Sequence, residues 1–137
     1  MRNILSVYLS LLFISAAGQD INWQKSSNWK MYKISGDKGL GYSADALSEF
    51  PFIEMNADTI LHFARQASIL PKDKYYVWMG AYYVTCLVND TIHKVDISVH
   101  GGFFYDERTK RYYQLPMNMR TDWMDWLITL KKRVNEK

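Results

Sequence analysis

The sequence predicts an α+β fold: a three- to four-stranded antiparallel sheet, a meander over residues 75–115, packed on one face by two main helices, 57–70 and 122–134. Three observations carry this. Residues 75–115 hold apolar stretches rich in Tyr, Val and Ile, separated by short polar turns, as antiparallel strands require. Residues 57–70 and 122–134 instead repeat apolar side chains at helical spacing. Strands that run together and helices that stand apart from them make a layered α+β arrangement.

The first segment reads as an address rather than a fold element. Arg2 gives a positive start, Ile4 to Ile14 is apolar but for Ser6 and Ser10, and Ser15-Ala16-Ala17-Gly18 is a small-residue exit. This order is that of a secretory signal peptide, with residues 1–18 removed and residues 19–137 forming a single α+β domain. The apolar run is too short to span a membrane, which takes about 20 residues. No later stretch is long enough, so a secreted or periplasmic protein without an integral membrane segment is expected.

Along the mature chain, residues 22–28 are a polar lead-in. Trp29 to Ile34 alternates as a strand. Ser35 to Gly41, with three glycines, is a loop. Ser43 caps a short helix over Ala44 to Phe50, stopped by Pro51, and Phe52 to Met55 is a short edge strand or extended linker. Asn56 caps the helix 57–70, whose apolar stripe is Ile60, Leu61, Phe63, Ala64, Ala67 and Leu70, and Pro71 ends it. Thr121 caps the last helix, with Asp122 and Asp125 near its start and Lys131-Lys132-Arg133 near its end, both suited to the helix dipole. Trp123, Trp126, Leu127, Leu130 and Val134 line its inner face.

The turn Asn89-Asp90 sets the faces of the sheet. If Val88 pairs with Thr91, Tyr82, Val84, Cys86 and Val88 share a face with His93, Val95, Ile97 and Val99. That face is apolar and is the expected core. The other face carries Tyr83, Thr85, Leu87, Lys94, Asp96, Ser98 and His100, and is expected to be solvated. Past Gly101-Gly102, strict alternation would bury Phe103, Tyr105, Tyr112 and Gln114. A β-bulge at the glycine pair would instead bury the more apolar set, Phe104, Tyr113 and Leu115. Asn89-Asp90-Thr91 also has the form of a glycosylation sequon, but turn chemistry accounts for these residues.

Composition narrows the function. A net charge of +3 gives no electrostatic reason for a nucleic-acid partner. The single cysteine, Cys86, excludes an internal disulfide framework and a multi-cysteine zinc site. His62, His93 and His100 lack metal-ligand spacing, and Gly36 to Gly41 matches no phosphate-loop pattern, so no metal or cofactor is expected. Cys86 and His93 face the same side of paired strands, which reads as core packing rather than a nucleophile.

Aromatic residues, at 15%, exceed what the expected core takes up. Arg108, Lys110 and Arg111 crowd one hairpin beside Tyr105, Tyr112 and Tyr113, and Tyr with Arg is the composition of recognition surfaces. The expected function is therefore an exported, non-enzymatic domain that binds a protein or a glycan through this hairpin. The alternative is a small secreted hydrolase using His100 with Asp96 or Ser98, which alternate along one strand.

Overall fold

The computed structural model describes residues 21–34, 36–72 and 81–135. The proposed signal peptide and the first residues of the 75–88 run lie outside these. Among the described residues there are seven strands: β1 (Ser26–Tyr32), β2 (Phe52–Glu54), β3 (Ser68–Ile69), β4 (Ala81–Val88), β5 (Thr91–Ser98), β6 (Phe103–Asp106) and β7 (Arg111–Gln114). The α-helices are α1 (Ala44–Leu47), α2 (Ala57–Ala64) and α3 (Arg120–Asn135). All seven strands join one antiparallel sheet in the order β2-β1-β4-β5-β6-β7-β3. The fold remains α+β, but the three- to four-stranded sheet with two helices is corrected to seven strands with three. β1 takes the free edge of β4, β2 extends it, and β3 covers the far edge of β7.

The β4–β5 hairpin is the centre of the sheet. Asn89 and Asp90 both take positive φ, which a two-residue turn between right-twisted strands requires. Val88 therefore pairs with Thr91, and the register runs unbroken to Ala81 opposite Ser98. Of the residues expected inside, Val84, Cys86, Val88, His93, Val95, Ile97 and Val99 are buried, and Tyr82 is half-buried against the core. Phe104, Tyr113 and Leu115 join them, but no register shift interrupts β5–β6. Residues 99–102 form the connection, with Gly101 and Gly102 at positive φ, and it returns the chain with Ile97 opposite Phe104. That pairing puts an even residue on the same face as an odd one without an inserted residue.

A bulge does occur, in β1. Ser27 pairs with Leu87 and Lys30 with Thr85, so one extra residue sits between them, where Asn28 takes φ 57°. Asparagine tolerates this left-handed conformation better than most residues. The extra residue reverses the faces beyond it and turns Trp29 and Met31 into the core, both 2% exposed.

α2 and α3 pack on this core face. Asn56 Oδ1 accepts from Thr59 N at 3.0 Å and caps α2, as its sequence position implies. α2 ends at Ala64 rather than at residue 70. Pro71 disfavours helix at Leu70, and the open edge of β7 offers backbone partners instead: Ile69 pairs with Tyr113 and Leu70 N donates to Tyr112 O at 2.8 Å. α3 begins at Arg120, after a 3-10 turn over Met117–Met119, so Thr121 lies inside the helix rather than capping it. Trp123, Leu127 and Leu130 are buried, each leucine contributing roughly 1.5–3 kcal/mol by removal from water. The Trp123 indole N–H donates to Ser98 O at 2.8 Å, satisfying its polar end.

Much of the aromatic excess is spent here. Trp23 packs on Trp29, Phe104 and Tyr113, and Trp123 on Phe63, Phe104 and Trp126, with centroids 4.8–6.2 Å apart.

On the second face, expected to be solvated, Tyr83, Thr85, Lys94, Asp96 and Ser98 are buried together with Tyr32, whereas Leu87 is half-buried and His100 exposed. Residues 36–50 fold back over this face. Leu47, Tyr32 and Tyr83 form a small second core with Ile34 and Phe50 against them. Gly36 to Gly41 is a 3-10 helix rather than a loop. A Cβ at Gly39 would lie 2.3 Å from the Tyr83 ring, so only glycine permits this approach.

Cys86 is 1% exposed, and burial first, then Asp106, pushes its thiol well above the ordinary range. Cys86 should therefore react with a thiol reagent only as fast as the chain unfolds. Rapid stoichiometric labelling of the native protein would contradict its place in the core.

Candidate functional site

The second face changes character from β5 to β7. β5 directs Ile92, Lys94, Asp96 and Ser98 outward from the core. Tyr105 of β6 pairs with Asp96 on one side and with Tyr112 of β7 on the other. The cover, residues 36–50, packs on β4 and β5, so Lys94 and Asp96 are buried while Tyr105 and Tyr112 are half-buried.

Lys94 is the hub. Its ammonium donates to Gly39 O at 2.7 Å and to Glu107 Oε1 at 2.8 Å, and lies 5.2 Å from the Tyr83 ring centre. Asp96 Oδ1 is 3.6 Å away, beyond hydrogen-bond reach, and has no hydrogen-bond partner among the described residues. One cation thus serves two carboxyl groups in a site where Asp96 is 1% exposed. The Asp96 carboxyl is raised to about 7: burial raises it most, Lys94 lowers it and Glu107 raises it.

Tyr105 and Tyr112 stand beside this cluster as a cross-strand ring pair, centroids 4.6 Å apart and 37° between planes. Burial first, then Tyr112, Glu107, Asp96 and Asp106, raises the Tyr105 phenol. The turn beyond is held from inside. Asp106 Oδ2 accepts from Thr109 N at 3.0 Å and from Thr109 Oγ1 at 2.6 Å, while Asp106 Oδ1 meets His93 Nδ1 at 2.9 Å. Lys110 takes φ 56° to close the turn.

The six hairpin residues marked in the sequence divide between two sides. Tyr105 and Tyr112 share the second face, and Arg108 and Lys110 are exposed at the tip. Arg108 Nε donates to Ile92 O at 3.3 Å. Arg111 and Tyr113 belong to the core side. Arg111 Nη2 donates to Leu70 O at 3.0 Å and its Nε is buried without a partner among the described residues, whereas Tyr113 is 1% exposed and its hydroxyl accepts from Ile21 N at 3.1 Å.

The alternative hydrolase set is not brought together. Ser98 Oγ donates to the backbone carbonyl of His100 at 2.6 Å and accepts from Phe103 N at 3.2 Å, Asp96 turns to the Lys94 cluster, and the His100 side chain is exposed. Cys86 pairs with His93, and His93 meets Asp106, giving a nucleophile, base and acid by type. A buried thiol raised rather than lowered cannot serve as the nucleophile.

Sequence reading missed the roles of Lys94, Glu107 and Asp106. The spacing Asp106-x-x-Thr109 is the signature of a side chain closing a turn on backbone N–H groups and could have marked Asp106. Among the described residues no group of His, Cys, Asp and Glu could hold a metal ion, and no helix is long and apolar enough to cross a membrane. No protein-family model, curated protein or solved structure matches this chain.

The Asp96 carboxyl has a clear consequence for stability. Its ordinary value is 3.8 and its folded value about 7, so between these the unfolded chain releases a proton that the folded protein keeps. Stability should be greatest, for this group, below pH 4, fall as pH rises towards 7, and level off above. Asp96→Asn imitates the protonated form. It should leave the melting temperature unchanged near pH 4 and raise it at pH 8 by on the order of 5 °C. Thermal melts of both proteins across this range check it, and a lower melting temperature for Asp96→Asn at pH 8 would contradict it.

Proposed function

We propose that this is an exported, non-enzymatic binding domain whose recognition surface is the second face of the β6–β7 hairpin together with its tip. Export rests on the charged, apolar and small-residue order of residues 1–18. The observation that carries the binding role is the Tyr105–Tyr112 pair. Two large rings held side by side on a hairpin give contact area at low entropic cost. The turn is fixed by Asp106 and Thr109, so little ordering is left to be done on binding. Arg108 and Lys110 are exposed cations at the hairpin tip.

The division of the hairpin decides how this is tested. Arg111 is tied to Leu70, so its removal would disturb the fold as well as the surface. Arg108→Ala with Lys110→Ala changes exposed side chains only and should leave the melting temperature within about 2 °C of the parent. The pair should abolish capture of whichever envelope component the parent protein retains in a pull-down and mass spectrometry identifies. Undiminished capture of that component by the double variant would place the recognition surface elsewhere.

A further inference from the structure

Residues 36–50 contribute no strand to the sheet, and the chain on either side of them is joined at its base. Tyr32 pairs with Phe52, and Lys33 N donates to Pro51 O at 2.8 Å, so the β1–β2 ladder closes the loop. A loop closed in this way can leave the face it covers without breaking a strand pair. We propose that residues 36–50 are a lid whose opening is linked to proton release from Asp96: the lid is held shut over the protonated carboxyl and opens more readily once that carboxyl is ionised.

The lid is held by little. Its apolar contact is the small second core, in which Leu47 meets Tyr32 and Tyr83 with Ile34 and Phe50 against them. Its polar contact is the Lys94 ammonium, which donates to Gly39 O at 2.7 Å. The same ammonium donates to Glu107 Oε1 at 2.8 Å and lies 3.6 Å from Asp96 Oδ1, which accepts no hydrogen bond among the described residues. Tyr83 and Tyr105 flank Asp96 across the sheet. Among the described residues the titratable groups around Asp96 are therefore Lys94, Glu107 and these two phenols, with one cation for two carboxyl groups. An ionised Asp96 under the closed lid would be buried without donors of its own. Lifting the lid brings water to it.

The direction of the pH dependence follows. Closed, the carboxyl is raised to about 7, chiefly by burial; opened to water, it returns towards its ordinary 3.8. Below pH 4 it is protonated in both states, and pH has no effect on opening. From there to about 7 the open state releases a proton that the closed state keeps, so opening gains up to about tenfold per pH unit and levels off above. Tyr83, Asp96, Tyr105 and Tyr112 form one cross-strand row, so opening extends the accessible part of the second face inward from the hairpin.

Native-state hydrogen exchange of the mature protein, followed by NMR from pH 5 to 8 and corrected for intrinsic exchange rates, tests this. A four-residue helix and a short 3-10 segment do not persist away from the sheet. The Tyr42, Leu47 and Phe50 amides, hydrogen-bonded within the lid, therefore report its opening. They should exchange faster than the amides of the β4–β5 pair, and their protection should fall by about tenfold or more between pH 5 and 7. Asp96→Asn cannot ionise and should remove this slope. Lid amides that lose protection only together with β4–β5, lid protection that does not change with pH, or a slope kept in full by Asp96→Asn would overturn the proposal. The first two are read from the parent protein, so the test stands if Asp96→Asn fails to fold.

Discussion

The Lys94 ammonium joins three parts of the chain that sequence order keeps apart. It takes the Gly39 carbonyl from the cover, Glu107 from the β6–β7 turn, and Asp96 from its own strand. A buried ammonium is costly unless its donors are used, and removing one partner of such a group costs more than the pair contributes. The cover therefore has to close where Lys94 can reach Gly39. That position is also where Gly39 meets Tyr83, an approach no side chain would allow. Where the cover lies fixes how the second face divides, with Lys94 and Asp96 buried and Tyr105 and Tyr112 half-buried.

The opposite face depends on packing rather than charge. Trp123 stands over Phe104 and Phe63, with its indole N–H donated to Ser98 O. Asn28 makes this possible on the β1 side, since the bulge there turns Trp29 and Met31 inward. Ser26 satisfies Trp29 by accepting from its indole N–H at 3.0 Å. The same sheet is thus clamped on both sides, by an aromatic core on one and by a short cover with one buried cation on the other. The His93–Asp106 contact ties the first hairpin to the second from the core side, while Lys94–Glu107 ties them from the other.

Legibility followed the range of each signal. The Asn89-Asp90 turn and the alternation around it are local, so the β4–β5 register could be read from sequence, as could the Asn56 cap. Phe104, Tyr113 and Leu115 could be placed in the core by their apolarity, although the connection through Gly101 and Gly102, not a bulge, puts them there. β3 has two residues and owes its existence to the edge of β7, which no alternation pattern reveals. Leu47 and Phe50 of the cover, with Ile34 before it, pack at no regular period. Lys94 and Asp96 beneath it look like solvent-facing charges because unpaired charges are rarely buried, and the second partner that changes this, Glu107, lies in a turn. For the candidate site, residue type marked Tyr105, Tyr112, Arg108 and Lys110. Strand parity, which depended on the unread connection, separated them from Arg111 and Tyr113.

With Asp96 buried beside an ammonium that Glu107 shares, its carboxyl keeps a proton to higher pH than an open, hydrated carboxyl would. The most direct measurement is a carbon-13 NMR titration of the Asp96 side-chain carboxyl in the folded protein. The account requires its midpoint near 7. A midpoint near the ordinary 3.8 would mean that water reaches Asp96, that the cover does not close over Lys94, and that the division of the second face described here is wrong.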